Sequence, residues 1–243
     1  MEHNEFMTAW RDVATRFGLS EYANEDTAEK LNILYEELCE VGSHMNLTAI
    51  RDLDGVLTKH FADSLSVARL IPEGAHLVDV GCGAGFPSLP LAIVRPDVQV
   101  TSLDSTAKKL GFVAATAKKL GLNNLTTLNT RAEDAGRDPK YRESFDVCVA
   151  RAVSALNVLS ELCLPLVKKG GLFIAMKSRL AENELADAAG GIIRLGGSKS
   201  EYFEPDFPED AGMSRTQLVF TKLTPTPREF PRQYSQIIKR PLS

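Results

Sequence analysis

The spacing of apolar residues changes near residue 75. Before that point, apolar side chains recur at helical intervals, as in Leu31, Leu34, Tyr35, Leu38 and Cys39. These positions form the stripe of an amphipathic helix, whose start Asp26 or Thr27 could cap. A second helical stretch runs over residues 53–70 and stops before Pro72. Residues 1–70 are therefore predicted to form a small helical N-terminal subdomain.

From residue 75 onward, short apolar runs alternate with amphipathic stretches. Strands are predicted over residues 77–80, 98–103, 125–128, 145–149, 171–176 and 216–223. Helices are predicted over residues 88–94, 106–120, 155–167 and 180–189. This alternation is typical of a parallel sheet covered on both faces. The last strand follows Tyr202 and Phe203 through a short loop, which indicates a hairpin and an antiparallel final strand.

The predicted fold class is thus α/β, with a Rossmann-like, seven-stranded, mostly parallel sheet and a terminal antiparallel strand. This domain is expected to span residues 71–225 and to be followed by a C-terminal tail of residues 226–243. The sequence contains no internal repeat.

Composition places the chain among ordinary globular proteins, with 44% hydrophobic and 25% charged residues among 243. No apolar run approaches the roughly 20 residues of a membrane span, and residues 1–5 are too polar for a secretory signal. The four cysteines form no C-x-x-C pair, so buried reduced thiols in a cytoplasmic protein are expected. No metal site is predicted, and the default expectation is a monomer.

Charge is distributed unevenly along the chain. The net charge is −4, residues 1–40 carry −7, and residues 226–243 carry +3. A basic tail on an acidic protein favours local contact with phosphate, although such tails are often merely solvated.

A glycine-rich turn, DVGCGAGFP at residues 79–87, carries the clearest chemical signal. Its glycines at 81, 83 and 85 would let the backbone approach a ligand closely. Phe86 stands where the dinucleotide fingerprint requires its third glycine. The turn instead resembles the first motif of S-adenosylmethionine-dependent methyltransferases, while a simple tight connection is the alternative. The candidate cofactor residues here are Asp79, Gly81, Gly83, Gly85 and Phe86.

Two further strand ends carry candidate nucleoside contacts. Asp104 ends the second strand and is placed to accept the hydroxyls of a ribose, although it could instead cap the following helix. Ala132 and Glu133 follow the third strand, beside the expected adenine edge. A solvated acidic helix start is the alternative for this pair.

Arg151 ends the fourth strand, where the reactive end of a cofactor would lie. It could bind the cofactor's carboxylate, order a loop or pair with a phosphate, unless it is simply a surface arginine. The region lacks both the Asn/Asp-Pro-Pro-Tyr/Phe element of amine methyltransferases and a nucleophilic cysteine after proline. The acceptor is therefore expected to need neither covalent activation nor a dedicated proton acceptor.

The whole chain beyond about residue 30 resembles the GidB/RsmG family of ribosomal RNA methyltransferases. The resemblance lies in residues 46–50, 60–65, 79–87, 104–105, 108–109, 131–133, 150–153, 231–232 and 239–242. It implies a class I methyltransferase that transfers a methyl group from S-adenosyl-L-methionine to N7 of a guanine in 16S rRNA, guanine 527 in the numbering usual for that family. The implied partner is 16S rRNA or the 30S particle.

The resemblance also implies residue roles. Gly81 and Phe86 match the cofactor loop, and Arg151 matches a positioning residue with no acid–base role. The remaining cofactor residues implied are Asp104, Ser105, Thr106, Ala132 and Glu133. Candidate RNA contacts are Lys177, Arg179, Arg232, Lys239 and Arg240. For His60 and Asp63, the sequence is compatible with a place on the substrate side of the pocket and equally with helix capping or subdomain packing.

The chain departs from the family pattern at Ser88, where many members have glycine, and in the tail, which lacks a Gly-x-Pro spacing. A nicotinamide-dependent oxidoreductase is one alternative, and Phe86 counts against it. A non-catalytic ribosome-assembly factor is a second alternative, and the intact glycine turn with Asp104 and Glu133 counts against it. A methyltransferase with a protein or small-molecule acceptor is the third, and the basic tail counts against it.

Overall fold

One sheet with helices on both faces makes up the fold in the computed structural model, which describes residues 3–42, 44–151, 154–178, 182–205, 207–209 and 212–243. The strands are β1 (His76–Val80), β2 (Gln99–Asp104), β3 (Leu125–Asn129), β4 (Phe145–Arg151), β5 (Val167–Lys177), β6 (Glu201–Phe203) and β7 (Thr216–Thr221). Their order is β3-β2-β1-β4-β5-β7-β6; β7 pairs antiparallel with both β5 and β6, and all the other pairs are parallel. The predicted seven-stranded, mostly parallel sheet is confirmed.

The strand order reverses between β1 and β4. Chain connections leave β1 toward β2 on one side, and the chain returns to β4 on the other side of β1. In open α/β sheets the crevice at such a switch point, beyond the carboxyl ends of the strands, receives the ligand. The glycine turn, which follows β1, and Arg151, which ends β4, therefore lie at the same edge of the sheet.

The helices are α1 (His3–Arg16), α2 (Glu25–Gly42), α3 (Leu53–Val56), α4 (Asp63–Leu65), α5 (Ser88–Val94), α6 (Ala107–Lys119), α7 (Ala132–Ala135), α8 (Leu156–Cys163), α9 (Glu182–Arg194) and α10 (Tyr234–Lys239). Short 3-10 turns occupy Ser20–Tyr22, Ala68–Leu70 and Leu164–Leu166. None of the described helices is long and apolar enough to cross a membrane.

Two details of the N-terminal prediction are wrong. Asn24 caps α2, because its Oδ1 accepts the Thr27 N–H at 3.0 Å, and Asp26 and Thr27 both lie inside the helix. Cys39 is exposed at the edge of the helix stripe, whereas the other three cysteines are buried as expected.

The helix predicted over residues 53–70 is also interrupted. A π-helical turn, Leu57–Ala62, separates α3 from α4, and the stretch ends in a 3-10 turn. π-Turns insert an extra residue into a helix and are often found at functional sites. His60 lies inside this turn, and Asp63 follows it immediately.

The core consists of one apolar layer on each face of the sheet. Within β1, Leu77 joins one layer while Val78 and Val80 join the other, as the two-residue period of a strand requires. The first layer includes Trp10, Leu31 and Phe61 from the N-terminal helices. The second includes Phe230, Ile237 and Leu242 from the C-terminal segment. Both ends of the chain are therefore packed against the sheet, and the domain division at residues 70 and 225 stays a prediction.

Candidate active site

The glycine turn after β1 is held tightly against β2. The N–H groups of Gly81 and Cys82 both donate to the Leu103 carbonyl, at 2.8 and 3.1 Å. Gly85 has φ +87°, and a Cβ there would lie 2.5 Å from Leu89 Cδ1. Gly83 has φ +57° but faces open space. Glycine is thus required at 85 by packing as well as conformation, and at 83 by conformation.

Asp79 lies behind this turn. Its side chain is fully buried, and its Oδ2 accepts the Ser88 N–H at 3.0 Å. Burial raises the pKa of Asp79 to about 7, against the opposing effects of the hydrogen bonding from Ser88 and the charge of Arg151. Asp79 lines neither of the clefts described next. The structure therefore places Asp79 as a support of the turn, and its predicted contact with the cofactor stays a prediction.

A first cleft of about 180 Å³, here called the Asp104 cleft, opens on one side of the turn. Its lining brings together the predicted Gly81, Asp104, Ser105, Ala132 and Glu133. Thr130, Arg131, Leu162 and Tyr234 are further lining residues. Thr106 and Gly85, predicted as contacts, do not line it.

Asp104 joins two loops at the mouth of the Asp104 cleft. Its Oδ1 accepts the Thr106 N–H at 2.8 Å, and its Oδ2 accepts the Gly83 N–H at 3.1 Å. Thr106 is the N-cap residue of α6 and no side chain caps the helix there, so Asp104 orders the residues before α6 without capping it. Because each carboxylate oxygen has a second lone pair, Asp104 can still accept hydrogen bonds from a ligand. Glu133 supplies a second carboxylate, 6% exposed and 3.9 Å from Arg131 Nη1.

A second cleft of about 490 Å³, here called the Arg151 cleft, lies on the other side of the turn. It is lined by Gly81, Gly83, Phe86 and Arg151, together with His60 and Asp63 from the helical N-terminal region. Gly81 lines both clefts. The two clefts therefore meet along the glycine turn at the switch point of the sheet.

Asp63 gathers two arginines in the Arg151 cleft. Its Oδ2 accepts Arg151 Nη1 at 3.0 Å, and its Oδ1 accepts Arg215 Nε at 2.6 Å. The Asp63 side chain is 1% exposed, and the two guanidinium groups retain 14% and 19% exposure. One carboxylate thus faces two positive charges, so one positive charge is left in excess at the cleft wall. Asp63 thus lines the cleft and also joins the helical N-terminal region to the sheet, while its role toward a substrate stays a prediction.

His60 forms a flat wall of the same cleft. Its ring stacks on Phe86 with centroids 4.6 Å apart and planes 9° from parallel. Its Nε2 lies 2.8 Å from Thr48 Oγ1, and its Nδ1 lies 3.5 Å from Arg151 Nη2. Since arginine only donates, this arrangement favours a neutral ring with Nε2–H donating to Thr48. Burial, assisted by the charge of Arg151, lowers the pKa of His60 to about 4.

The residues predicted to contact RNA fall into different settings. Lys239 and Arg240 are exposed. Lys177 is 14% exposed and pairs with Glu184 at 2.6 Å. Arg232 is bound to the fully buried carboxylate of Glu161, with Nη2 donating to Oε2 at 2.6 Å. Arg179 lies outside the described residues.

The pairing of Arg232 changes its interpretation. Its Nε and Nη2 groups and its backbone N–H are all directed at Glu161, and Nη2 also donates to the Arg240 carbonyl. These contacts occupy Nε and Nη2 and hold the guanidinium against a buried carboxylate. The structure therefore favours a structural role for Arg232.

Arg215 and Tyr234 are among the lining residues that the sequence did not indicate. Arg215 precedes β7 in a stretch without a motif, and only its contact with Asp63 shows its place. Tyr234 lies in the basic tail, where an isolated aromatic residue gives no local signal. Within the described ranges, no group of three or more His, Cys, Asp and Glu side chains is arranged to hold a metal ion.

Comparison with known proteins agrees with this architecture. The family model described as "rRNA small subunit methyltransferase G" matches residues 27–203. The chain is 44% identical over 218 residues to ribosomal RNA small subunit methyltransferase G of Lactobacillus delbrueckii subsp. bulgaricus, covering 88% of this chain and 91% of that protein. It is 43% identical over 216 residues to the protein of the same name from Staphylococcus saprophyticus, covering 88% and 90%.

Solved structures give the same fold. A SAM-dependent O-methyltransferase from Thermotoga maritima is 18% identical and superposes with a TM-score of 0.53, covering 80% of this chain and 72% of that chain. The sheet order and the glycine turn at its switch point define a class I methyltransferase fold. At the level of sequence the assignment is narrower. The chain belongs to the rRNA small subunit methyltransferase G family, as its resemblance to GidB/RsmG proteins predicted.

Proposed function

We propose that this protein transfers the methyl group of S-adenosyl-L-methionine to N7 of a guanine in 16S rRNA, with the small-subunit particle as its substrate. The observation that carries the proposal is the junction of the two clefts at Gly81. One cleft offers carboxylates suited to a nucleoside, and the other offers an aromatic wall and an excess positive charge. The names of the relatives support rRNA of the small subunit as the substrate class.

The residues of the Asp104 cleft fit the cofactor. Asp104 and Glu133 are carboxylates at the cleft wall, matched to hydroxyl and amine donors of an adenosine group. Gly83 lines the neighbouring Arg151 cleft, and a Cβ there would meet only the Gly81 carbonyl oxygen, at 4.0 Å. We infer that Gly81, Asp104, Ser105, Ala132 and Glu133 hold the nucleoside. Phe86 and Arg151 then face the methionine end.

The residues of the Arg151 cleft position the guanine base relative to the methyl group of the cofactor. When bound, the cofactor supplies an electrophilic methyl group on a sulfonium. Guanine N7 has a lone pair and no proton, so no side chain has to remove a proton before attack. His60 agrees with this because its pKa of about 4 leaves it neutral at pH 7. The stacked His60–Phe86 pair offers a flat contact for a base, and orientation alone can contribute about 7–11 kcal/mol to a rate.

Arg151 and Arg215 supply an anion site beside that wall. Asp63 fixes both guanidinium groups but neutralises only one of their charges. We propose that the excess charge binds an anionic group, either the cofactor's carboxylate or a phosphate of the RNA. Arg215→Gln separates these sources, since the first predicts weaker cofactor binding and the second a higher KM for the particle.

The RNA surface is proposed to include the exposed Lys239 and Arg240 at the end of α10, with Lys177 nearer to the Arg151 cleft. We expect Lys239→Glu with Arg240→Glu to raise the KM for the particle while cofactor affinity stays constant. Equal losses of both would reject this division. Arg232 is left unchanged in this variant because its pairing with Glu161 would confound binding with stability.

The test uses methyl-labelled S-adenosylmethionine and 30S particles that lack their native modifications, with 23S rRNA as a control. We expect label as 7-methylguanine at one site of 16S rRNA. Asp104→Asn should weaken cofactor binding about 10- to 100-fold, because one hydrogen bond to a charged group contributes about 1.5–3 kcal/mol. Asp134→Asn, the same change at an exposed carboxylate of α7, is the matched control.

Two results would contradict the proposal. Label in a ribosomal protein would favour a protein acceptor. Cofactor binding without any transfer to the particle would favour the assembly-factor interpretation. We further propose that the protein acts as a cytoplasmic monomer, which light scattering of the purified chain tests for the oligomeric state.

A further inference from the structure

Tyr234 stands at the rim of the Asp104 cleft, although it belongs to the C-terminal segment. It is the first residue of α10 and lines the cleft together with Ser105, Ala132 and Glu133. Its side chain is 36% exposed. The segment lies beyond residues 27–203, which the family model matches. Tyr234 therefore lies outside the part of the chain that the family model matches.

The tail is fastened on both sides of Tyr234. Two residues before it, Arg232 is bound to the buried Glu161. Three residues after it, Ile237 is fully buried in the second core layer. Upstream, Arg142 donates to the carbonyls of Thr226 and Phe230 at 2.6 and 2.7 Å. The Tyr234 backbone is thus held at the cleft by contacts that need no ligand.

The ring adds the one kind of surface that the rest of this cleft lacks. Among the described residues that line the Asp104 cleft, Tyr234 is the only aromatic one. The Arg131 guanidinium lies 6.0 Å from its ring centroid, at the limit of a cation–π contact. The other lining side chains are two acidic residues, Arg131, and small or aliphatic residues. A flat, partly exposed ring in such a cleft suits stacking on a purine base.

We propose that Tyr234 forms the outer wall of the Asp104 cleft and stacks on the adenine ring of the bound S-adenosyl cofactor. This inference rests on the proposed function, because it assumes that the Asp104 cleft holds the adenosine group. It assigns a cofactor-binding residue to the C-terminal helix, whereas the sequence predicted only RNA contacts in this segment.

Calorimetric titration with S-adenosylhomocysteine tests the stacking. Tyr234→Ala should weaken binding about 5- to 100-fold, since stacking of a base on an aromatic side chain contributes about 1–3 kcal/mol. Tyr234→Phe keeps the ring and should bind within about two-fold of the wild type. Ile238→Ala truncates another exposed side chain of α10, 50% exposed and outside the cleft, and should bind like the wild type. Circular dichroism melts confirm that each variant is folded.

A second measurement reports on the ring directly. Trp10 is fully buried, so in Tyr234→Trp any large change of tryptophan emission on adding S-adenosylhomocysteine comes from position 234. We expect the change to saturate with the affinity measured by calorimetry.

Each contrary result is distinct. If wild type and Tyr234→Ala bind S-adenosylhomocysteine equally, the stacking proposal fails while the proposed function stands. If Tyr234→Ala changes only the KM for the particle, Tyr234 contacts RNA and the proposal is overturned. If Tyr234→Phe binds as weakly as Tyr234→Ala, the hydroxyl and not the ring is responsible. A wild type that binds no S-adenosylhomocysteine overturns the proposed function and this inference with it.

Discussion

Replacing Arg232 by alanine separates a structural from an RNA-binding role for the tail. In the folded protein, Arg232 Nε and Nη2 contact both oxygens of Glu161, whose side chain is fully buried. Alanine would leave that carboxylate buried and without its counter-charge. A buried, unpaired charge is strongly destabilising, so this substitution should destabilise the protein although Arg232 itself is partly exposed.

The magnitude follows from the burial of the pair. Removing one partner of a buried ion pair costs about 3–5 kcal/mol. Two features reduce this cost here: the Arg232 side chain is 23% exposed, and its backbone N–H still donates to Glu161 Oε1 at 2.8 Å. We therefore expect Arg232→Ala to lower the free energy of unfolding by about 2–3 kcal/mol. In a protein of this size that corresponds to a melting temperature lower by about 4–12 °C.

Chemical denaturation followed by circular dichroism measures the loss. Lys239→Ala, which removes an exposed positive charge from the same tail, is the matched control and should unfold like the wild type. Combining Arg232→Ala with Glu161→Gln should be less damaging than the sum of the two single changes, because no uncompensated charge stays buried. An Arg232→Ala variant with wild-type stability and impaired particle binding would refute this reasoning and restore the RNA role.

Three further predictions concern the glycine turn and the two shifted pKa values. Gly85→Ala should destabilise the fold by more than about 2 kcal/mol, because strain at φ +87° adds to a clash with Leu89. Gly83→Ala should lower the free energy of unfolding by only about 1 kcal/mol but should weaken S-adenosylhomocysteine binding. Equal denaturation curves for the two variants would refute this contrast. Asp79, with its folded pKa raised to about 7, keeps a proton that the unfolded chain loses, so its contribution to stability falls as the pH rises from about 4 to about 7; denaturation at several pH values should show this component missing in Asp79→Asn. His60, with its folded pKa lowered to about 4, binds its proton less readily than the unfolded chain, so its contribution rises with pH between about 4 and 6.5; its ring should titrate near pH 4 by NMR, and a midpoint near 6.5 would contradict the burial argument.

The sheet could be predicted because its signal is local. Interior parallel strands are apolar on both faces, and in β1 and β4 every second residue enters the opposite core layer. The glycine turn is local as well, since its conformation is required within residues 81–85. Short-range patterns of this kind survive whatever the rest of the chain does.

The helical N-terminal region shows where periodicity fails. The helical pattern over residues 53–70 does not distinguish an α-helix from one containing a π turn, because the apolar spacing over so short a stretch does not resolve one added residue. Yet that turn, Leu57–Ala62, carries His60 into the Arg151 cleft. The predicted element is broadly right, and its functional detail depends on tertiary contacts.

Charge pairing over long sequence distances could not be foreseen. Arg151 and Arg215 meet Asp63 across 88 and 152 residues, and Arg232 meets Glu161 across 71. Nothing near these residues in the chain reveals the partner. From the basic residues of the tail, Arg232 and Lys239 were both predicted to contact RNA. In the structure, Arg232 pairs with a buried carboxylate, whereas Lys239 is exposed to solvent.

The ion pair between Arg232 and the buried Glu161 also affects binding by the tail. A free terminal tail would lose conformational entropy when it contacts a ligand, and that loss would reduce affinity. Here the Glu161 pair and the buried Ile237 order the tail during folding. The six-residue helix α10 then presents Tyr234 at one end, beside the Asp104 cleft, and Lys239 at the other. Arg232, which the sequence predicted to contact RNA, thus stabilises the arrangement in which Tyr234 and Lys239 can contact their ligands.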